Sequence, residues 1–198
     1  MQKQTSVLLD FFKYQNQLKM VFRNNFNQEG RRESSAEHTW SVTMMAWLLT
    51  KPLEQELGIT LDQNRILKMA LVHDLVEIDA GDVAAWDKSG RVAVAASEQA
   101  AIAAIGEKLA GSNEELYPLW MEHDVLETIE SKLVKACDQL CPLIYRVVFH
   151  NSYQGSGVDR AKLDSIFLPI VSFSQLTTEL YTALAEELDQ QGLFDVKE

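Results

Sequence analysis

The chain has 198 residues, 46% of them hydrophobic, and 29 acidic against 18 basic side chains give a net charge of -11. That apolar content supports a sizeable core in one domain, while the acidic balance repels the backbone of DNA or RNA and argues against extended nucleic acid as a partner. No stretch approaches the roughly 18 apolar residues of a membrane helix, and the opening MQKQTSVLLDFFKYQNQLKM scatters charge where a signal peptide needs an apolar run, so a cytoplasmic protein with no membrane association is expected.

Helical periodicity runs through nearly the whole chain, without an alternating strand pattern, and predicts an all-α fold as a single domain over residues 1–198. A first helix is expected over Ser6–Arg23, with Val7, Leu8, Phe11, Phe12, Leu18, Val21 and Phe22 on its apolar face, followed by a polar loop, NNFNQEGRRES. Ser34 and Glu37 in SSAE form a capping box ahead of the apolar run Trp40–Leu49, which places His38 in a helix first turn. KPLEQELGIT then leads to Asp62, the expected N-cap of a third helix. That helix, Ile66–Ile78, is apolar around most of its circumference and ends near Gly81.

Beyond it the alanine-rich Arg91–Leu109 reads as a long helix, GSNEELYPLW as a connector, Val125–Phe149 as another long helix and Val158–Leu188 as one or two helices interrupted near Pro169. The tail LDQQGLFDVKE is expected to fray. Cys137 and Cys141 are expected to be buried reduced thiols.

The third helix poses the functional question. LVHDLVEIDAGDV sets His73, Asp74, Glu77, Asp79 and Asp82 into or beside a buried segment, and an ionised carboxylate costs several kcal/mol to bury unless something pairs with it. At spacings of three and four, His73, Asp74 and Glu77 can look toward one point. His38, and Asp138 within the apolar run SKLVKACDQLCPLI, are candidate partners from other helices, although Asp138 alone reads equally as a salt bridge to Lys135 or Arg146. EHD at residues 122–124 repeats the dipeptide in charged surroundings, so His123 and Asp124 are expected at the surface or at a helix start, and His150 past a helix end is a cap or a substrate contact.

Four blocks in this order, LKMVFRN, RRESSAEHTW, LVHDLVEIDAGD and KACDQLCPL, make the chain resemble the HD-domain metal-dependent phosphohydrolases, nearest to the small single-domain branch that includes bacterial nucleoside 5'-monophosphatases. The likeness covers about Leu18 to Leu143 and continues more loosely to about Val158. It implies His38, His73, Asp74 and Asp138 as ligands of one divalent metal ion, and that donor set suits Mn, Co, Ni, Fe or Zn better than Mg or Ca. The scarcity of further histidines argues against a two-metal centre or a di-iron oxygenase.

The expected function is hydrolysis of a nucleoside 5'-monophosphate or similar small phosphomonoester through a metal-activated water. The alternatives are a phosphodiesterase or pyrophosphohydrolase on the same site, or a non-catalytic metal-binding dimeric regulator. Glu77 is the leading general acid or base, its alternative being to orient His73 or a water. Asp82 would meet a sugar hydroxyl or the attacking water, Arg23 the phosphate, and Arg31 and Arg32 would flank the entrance, with Arg32 a substrate contact. Asp79 reads as a surface or cap residue. Asn24 stands where deoxyribonucleotide-selective relatives carry tryptophan, so a deoxyribose preference is not implied. A homodimer is expected, with the Arg91–Leu109 and C-terminal helices offering apolar faces.

Overall fold

The computed structural model describes residues 2–109 and 111–195. Helix α1, Gln2–Gln15, passes through a 3-10 turn, Asn16–Met20, into strand β1, Phe22–Phe26. The helix expected to reach Arg23 therefore stops at Gln15. Asn16 Nδ2 donates back to the Phe12 carbonyl and Lys19 to Asn16 Oδ1, local side-chain bonds of the kind that compete with the helical ladder. The expected loop is a hairpin, in which β1 pairs antiparallel with β2, Arg32–Ser34, setting Phe22 opposite Ser34 and Phe26 opposite Arg32. Asn27 Oδ1 accepts the Glu29 and Arg31 amides in the turn, and Gly30 supplies its positive φ of 80°.

Strand β2 runs directly into α2, Ser35–Leu57, through the expected capping box: the Ser34 side chain accepts the Glu37 amide while the Glu37 carboxylate accepts the Ser34 amide. The helix continues past Leu49 and through Pro52, because Val42, Ala46 and Leu53 extend one fully buried stripe, and it ends at Gly58 with φ 66°. Asp62 caps α3, Gln63–Val72, by accepting the Arg65 amide at 2.9 Å. The expected Ile66–Ile78 helix is broken. Residues 73–76 form a tight turn closed by bonds from the amides of Leu75, Glu77 and Ile78 to the carbonyls three residues earlier. A single short helix, α4, Glu77–Ala80, follows before Gly81.

Helix α5, Lys88–Leu109, agrees with the expected long helix. The expected connector and the EHD stretch together form α6, Leu116–Val125, which ends with Leu126 at φ 59°. Helix α7 spans Ile129–Phe149, α8 Arg160–Val171 and α9 Gln175–Gln190. Pro169 lies inside α8, and the break comes instead at residues 172–174, where Ser174 caps α9. The tail is docked as far as Asp195: Leu193 and Phe194 are buried, and the Tyr153 amide donates to the Leu193 carbonyl. The last residues of the expected frayed segment, 196–198, lie outside the described residues.

Among the described residues the fold is all-α, its sheet limited to the hairpin. Helix α7 packs against α2, α3, α6, α8 and α9. One apolar cluster joins α7 to α8, α9 and the tail, a second joins α7 to α2 and α3 and holds the free, buried Cys137 and Cys141, and a third joins α1, α5 and α6 to Leu75 and Val76. The alanine-rich α5 and the C-terminal α9 spend their apolar faces on these clusters. No helix among the described residues is long and apolar enough to cross a membrane.

Candidate metal centre

The break between α3 and α4 lies where the second and third apolar clusters meet, and it turns His73 and Asp74 toward α2 and α7. His38, in the first turn of α2, is fully buried, and Asp138, in the middle of α7, is 6% exposed. Donor atoms of His38, His73 and Asp74 all lie within 4.8 Å of one another. Asp138 Oδ1 is 3.0 Å from His38 Nε2 and 3.9 Å from His73 Nε2. The fold thus gathers four side chains from three separated segments.

The hydrogen-bond chemistry of the group tests whether a cation fits. His73 Nδ1 lies 2.8 Å from the Ala70 carbonyl, so Nδ1 carries a proton as donor, and in the neutral ring Nε2 is the lone pair a metal ligand needs. That Nε2 is buried without a hydrogen-bond partner, yet Asp74 Oδ1 stands 3.1 Å away. With the ring neutral these are two acceptors face to face, an arrangement that a cation, whether a proton or a metal ion, between them stabilises. Imidazole and carboxylate donors about 2.0–2.2 Å from one ion would show such separations. The donor set fits a divalent ion that accepts mixed nitrogen and oxygen ligands.

Cationic side chains offset part of the remaining charge. Lys135 Nζ is 2.7 Å from the other Asp138 oxygen, so the expected alternative partner is present without occupying the oxygen that faces the histidines. Burial opposes ionisation of Asp138, but Lys135, and then the His38 hydrogen bond, hold its carboxyl well below the usual range. Arg146 turns away to the Asn151 and Ser152 carbonyls and stacks on Tyr153.

Arg23, on β1, reaches Asp74 at 3.2 Å, Asp82 at 3.1 Å and Glu77 at 3.5 Å through one guanidinium nitrogen. Burial disfavours its charge, yet Asp74, then Asp82 and Glu77, hold its pKa above the ordinary value. Its Nε has no partner. Glu77 accepts the Ser35 hydroxyl at 2.6 Å, and burial, followed by repulsion from Asp74, pushes its carboxyl well up. The same two causes, opposed by Arg23, raise Asp82.

These residues line a cavity of about 320 Å³ with Arg91, Trp120, His123, Lys135 and Gln139. Asn24 lines a smaller cleft of about 40 Å³ beside Asp82 and Trp86. Arg32 is turned away from both: its guanidinium donates to the Phe22 and Arg23 carbonyls and lies over the Phe22 and Phe26 rings, so it braces the strand that carries Arg23. Arg31 pairs with Glu37 at the surface, Asp79 accepts the Tyr14 hydroxyl, and His150 is the α7 C-cap at φ 51°.

His123 corrects the sequence reading. It is 9% exposed and meets the His73 ring edge-on, with centroids 5.4 Å apart, whereas Asp124 is at the surface as expected. The signal was the stripe Leu116, Leu119, Trp120, His123 at spacings of three and four, all four side chains buried. Burial, and then the Lys135 charge, push the His123 pKa well below the imidazole range. The unfolded chain then binds the extra proton, so this contribution to stability is complete above pH about 6.5 and is lost as pH falls, by up to about 1.4 kcal/mol per pH unit. Urea midpoints of His123→Phe are expected to vary less steeply with pH below about 6.5 than those of the unaltered chain. Equal slopes would mean that His123 is not held neutral.

The chain matches the model of a family described as HD domain over residues 15–168. It is 33% identical over 163 residues to the 5'-deoxynucleotidase HDDC2 of Dictyostelium discoideum, covering 80% of this chain and 85% of that one. It is 31% identical over 140 residues to the human 5'-deoxynucleotidase HDDC2, a match that spans 69% of this chain and 65% of the human protein. Among solved structures, one from Magnetospirillum magnetotacticum MS-1, named Predicted metal-dependent phosphohydrolase, superposes with a TM-score of 0.84 at 28% identity, covering 98% of this chain and 96% of that one.

Proposed function

The chain belongs to the HD-domain family, and from that premise we propose that it is a metal-dependent phosphomonoesterase that hydrolyses a nucleoside 5'-monophosphate. The relatives' nucleotidase activity supports the substrate class. The observation that carries the reading is the pair of facing acceptors, His73 Nε2 and Asp74 Oδ1 at 3.1 Å, in a cavity that also holds a buried arginine. Such a cavity suits a cation and a phosphate together.

In this reading His38, His73, Asp74 and Asp138 hold one divalent ion from the series Mn, Co, Ni, Fe and Zn. When bound, such an ion lowers the pKa of a water and polarises a phosphoryl oxygen. Arg23 orients the phosphate dianion. Water attacks phosphorus as the bond to the sugar oxygen breaks, and Glu77 transfers the proton between the water and the leaving oxygen. Its raised pKa, with Ser35 fixing one oxygen, suits a carboxyl that gives and takes a proton. Asp82 positions the water or a sugar hydroxyl, and Asn24 leaves the choice between ribose and deoxyribose to be set by the cleft beside Trp86.

The test is a panel of phosphate esters assayed with a panel of metals after chelation. Orthophosphate release from nucleoside monophosphates, absent in chelator and restored by a divalent ion, is expected. No release from any ester with any ion would remove the reading in favour of a silent metal-binding module, and release only from diesters or pyrophosphates would move it to those substrates.

We place the enzyme in the cytoplasm as a single-domain homodimer. The exposed apolar side chains Trp40 and Leu48 on α2 line one groove with Ile144, Val148 and Phe149 on α7. This largely apolar face, lined by a single charged residue, Glu33, on a chain of net charge -11 supports pairing with a second copy, because like charge disfavours contact elsewhere. Trp40→Glu with Val148→Glu is expected to convert a dimer to a monomer in sedimentation. A monomeric unaltered chain would refute the dimer.

A further inference from the structure

One more polar group in the cavity lacks a protein partner. His123 Nε2 is buried and makes no hydrogen bond, although the side chain lines the cavity between Trp120 and Lys135. The nitrogen lies outside the donor cluster formed by His38, His73 and Asp74, and its residue borders the cavity beside that cluster. Three cationic residues, Arg23, Arg91 and Lys135, border the same cavity, but six acidic residues line it too, so an anion is favoured there once a cation on the proposed ligands offsets the carboxylates. A buried nitrogen left without a partner costs about 1–3 kcal/mol, and a ligand that accepts its proton removes that cost.

We propose that His123 is a substrate-binding residue whose imidazole N–H donates a hydrogen bond to a phosphoryl oxygen of the monophosphate. The assignment rests on the phosphoester reading above. It differs from a purely structural role, in which the ring serves only as an edge that packs on His73. The two roles respond oppositely to substitution. Phenylalanine keeps a ring against His73 and loses the donor, whereas asparagine loses the ring and keeps an N–H.

The experiment titrates inorganic orthophosphate into the zinc-loaded full chain, freed of excess metal, by calorimetry, with zinc content and ester hydrolysis measured on the same samples. His123→Phe is expected to weaken orthophosphate binding about tenfold or more at unchanged zinc content, the loss of one hydrogen bond to a charged acceptor. His123→Asn is expected to stay within about threefold of the unaltered chain, a residual loss of less than one such bond. Binding by His123→Phe within about twofold of the unaltered chain, less than any such bond would cost, would overturn the proposal. So would greater damage from asparagine than from phenylalanine, loss of zinc from His123→Phe, or absence of orthophosphate binding by the unaltered chain. A chain that binds orthophosphate through His123 yet hydrolyses no ester would leave this inference standing and remove the proposed function.

Discussion

Asp74→Ala is expected to abolish phosphate release, by at least about 10³-fold, and to lower the bound metal from one ion per chain to none. The magnitude follows from the several kcal/mol of transition-state charge stabilisation that a bound divalent ion supplies. Asp74 faces His73 Nε2 at 3.1 Å and His38 Nε2 at 3.8 Å, so its removal takes away the carboxylate nearest His73 and one of the two beside His38. The fold should survive, because Arg23 keeps Asp82 and Glu77 as partners and none of the apolar clusters includes Asp74. Metal analysis, circular dichroism and phosphate release on one preparation check this. A variant that retained both its metal and its turnover would place the centre elsewhere.

Glu77→Gln should separate chemistry from metal binding. Glutamine keeps the shape of the side chain and an oxygen to accept the Ser35 hydroxyl, while it cannot exchange a proton. The expected result is a kcat lower by about 10²–10⁴-fold, with the metal retained and KM little changed. The pH profile supplies the sign. If the carboxyl acts as the acid, activity falls as pH rises through its raised pKa; if it acts as the base, activity rises through the same value, and in either case that limb disappears in the variant. A higher KM at unchanged kcat would instead assign Glu77 to holding Arg23, which lies 3.5 Å away.

The sequence was most informative where the physics is local. Ser34 with Glu37, and Asp62 ahead of Arg65, are capping arrangements complete within a few residues, and both occur as expected. The meeting of His38, His73, Asp74 and Asp138 could not follow from local rules, and it became legible only through the ordered blocks that resemble a family. The break at residues 73–76 was hidden because its apolar residues continue the helical period: Leu75 and Val76 are buried whether or not the helix runs on. The hairpin was hidden by its polarity, since Asn25 and Glu33 satisfy each other in a buried cross-strand bond that no apolar pattern announces. His123 was missed because the charged surroundings of EHD suggested a surface position, although Leu116, Leu119 and Trp120 set up a buried helical stripe that His123 continues. Arg32 was placed at the entrance by its charge, whereas hydrogen bonds to strand carbonyls decide where it points.

The gathering of donors from α2, α7 and the break between α3 and α4 also determines when the cation can be captured as the chain folds. No fragment shorter than the span from His38 to Asp138 contains all four donors, and a partly folded chain that lacks a docked α7 presents at most three of the proposed ligands, His38, His73 and Asp74. Capture by all four must wait for α7 to dock across α2 and α3, a contact between segments distant in sequence and hence formed late. Refolding should therefore proceed at the same rate with or without the ion, in contrast to small zinc domains whose folding is driven by metal binding. Under the proposed ligand set, loading follows synthesis and draws on whichever divalent pool the finished fold meets.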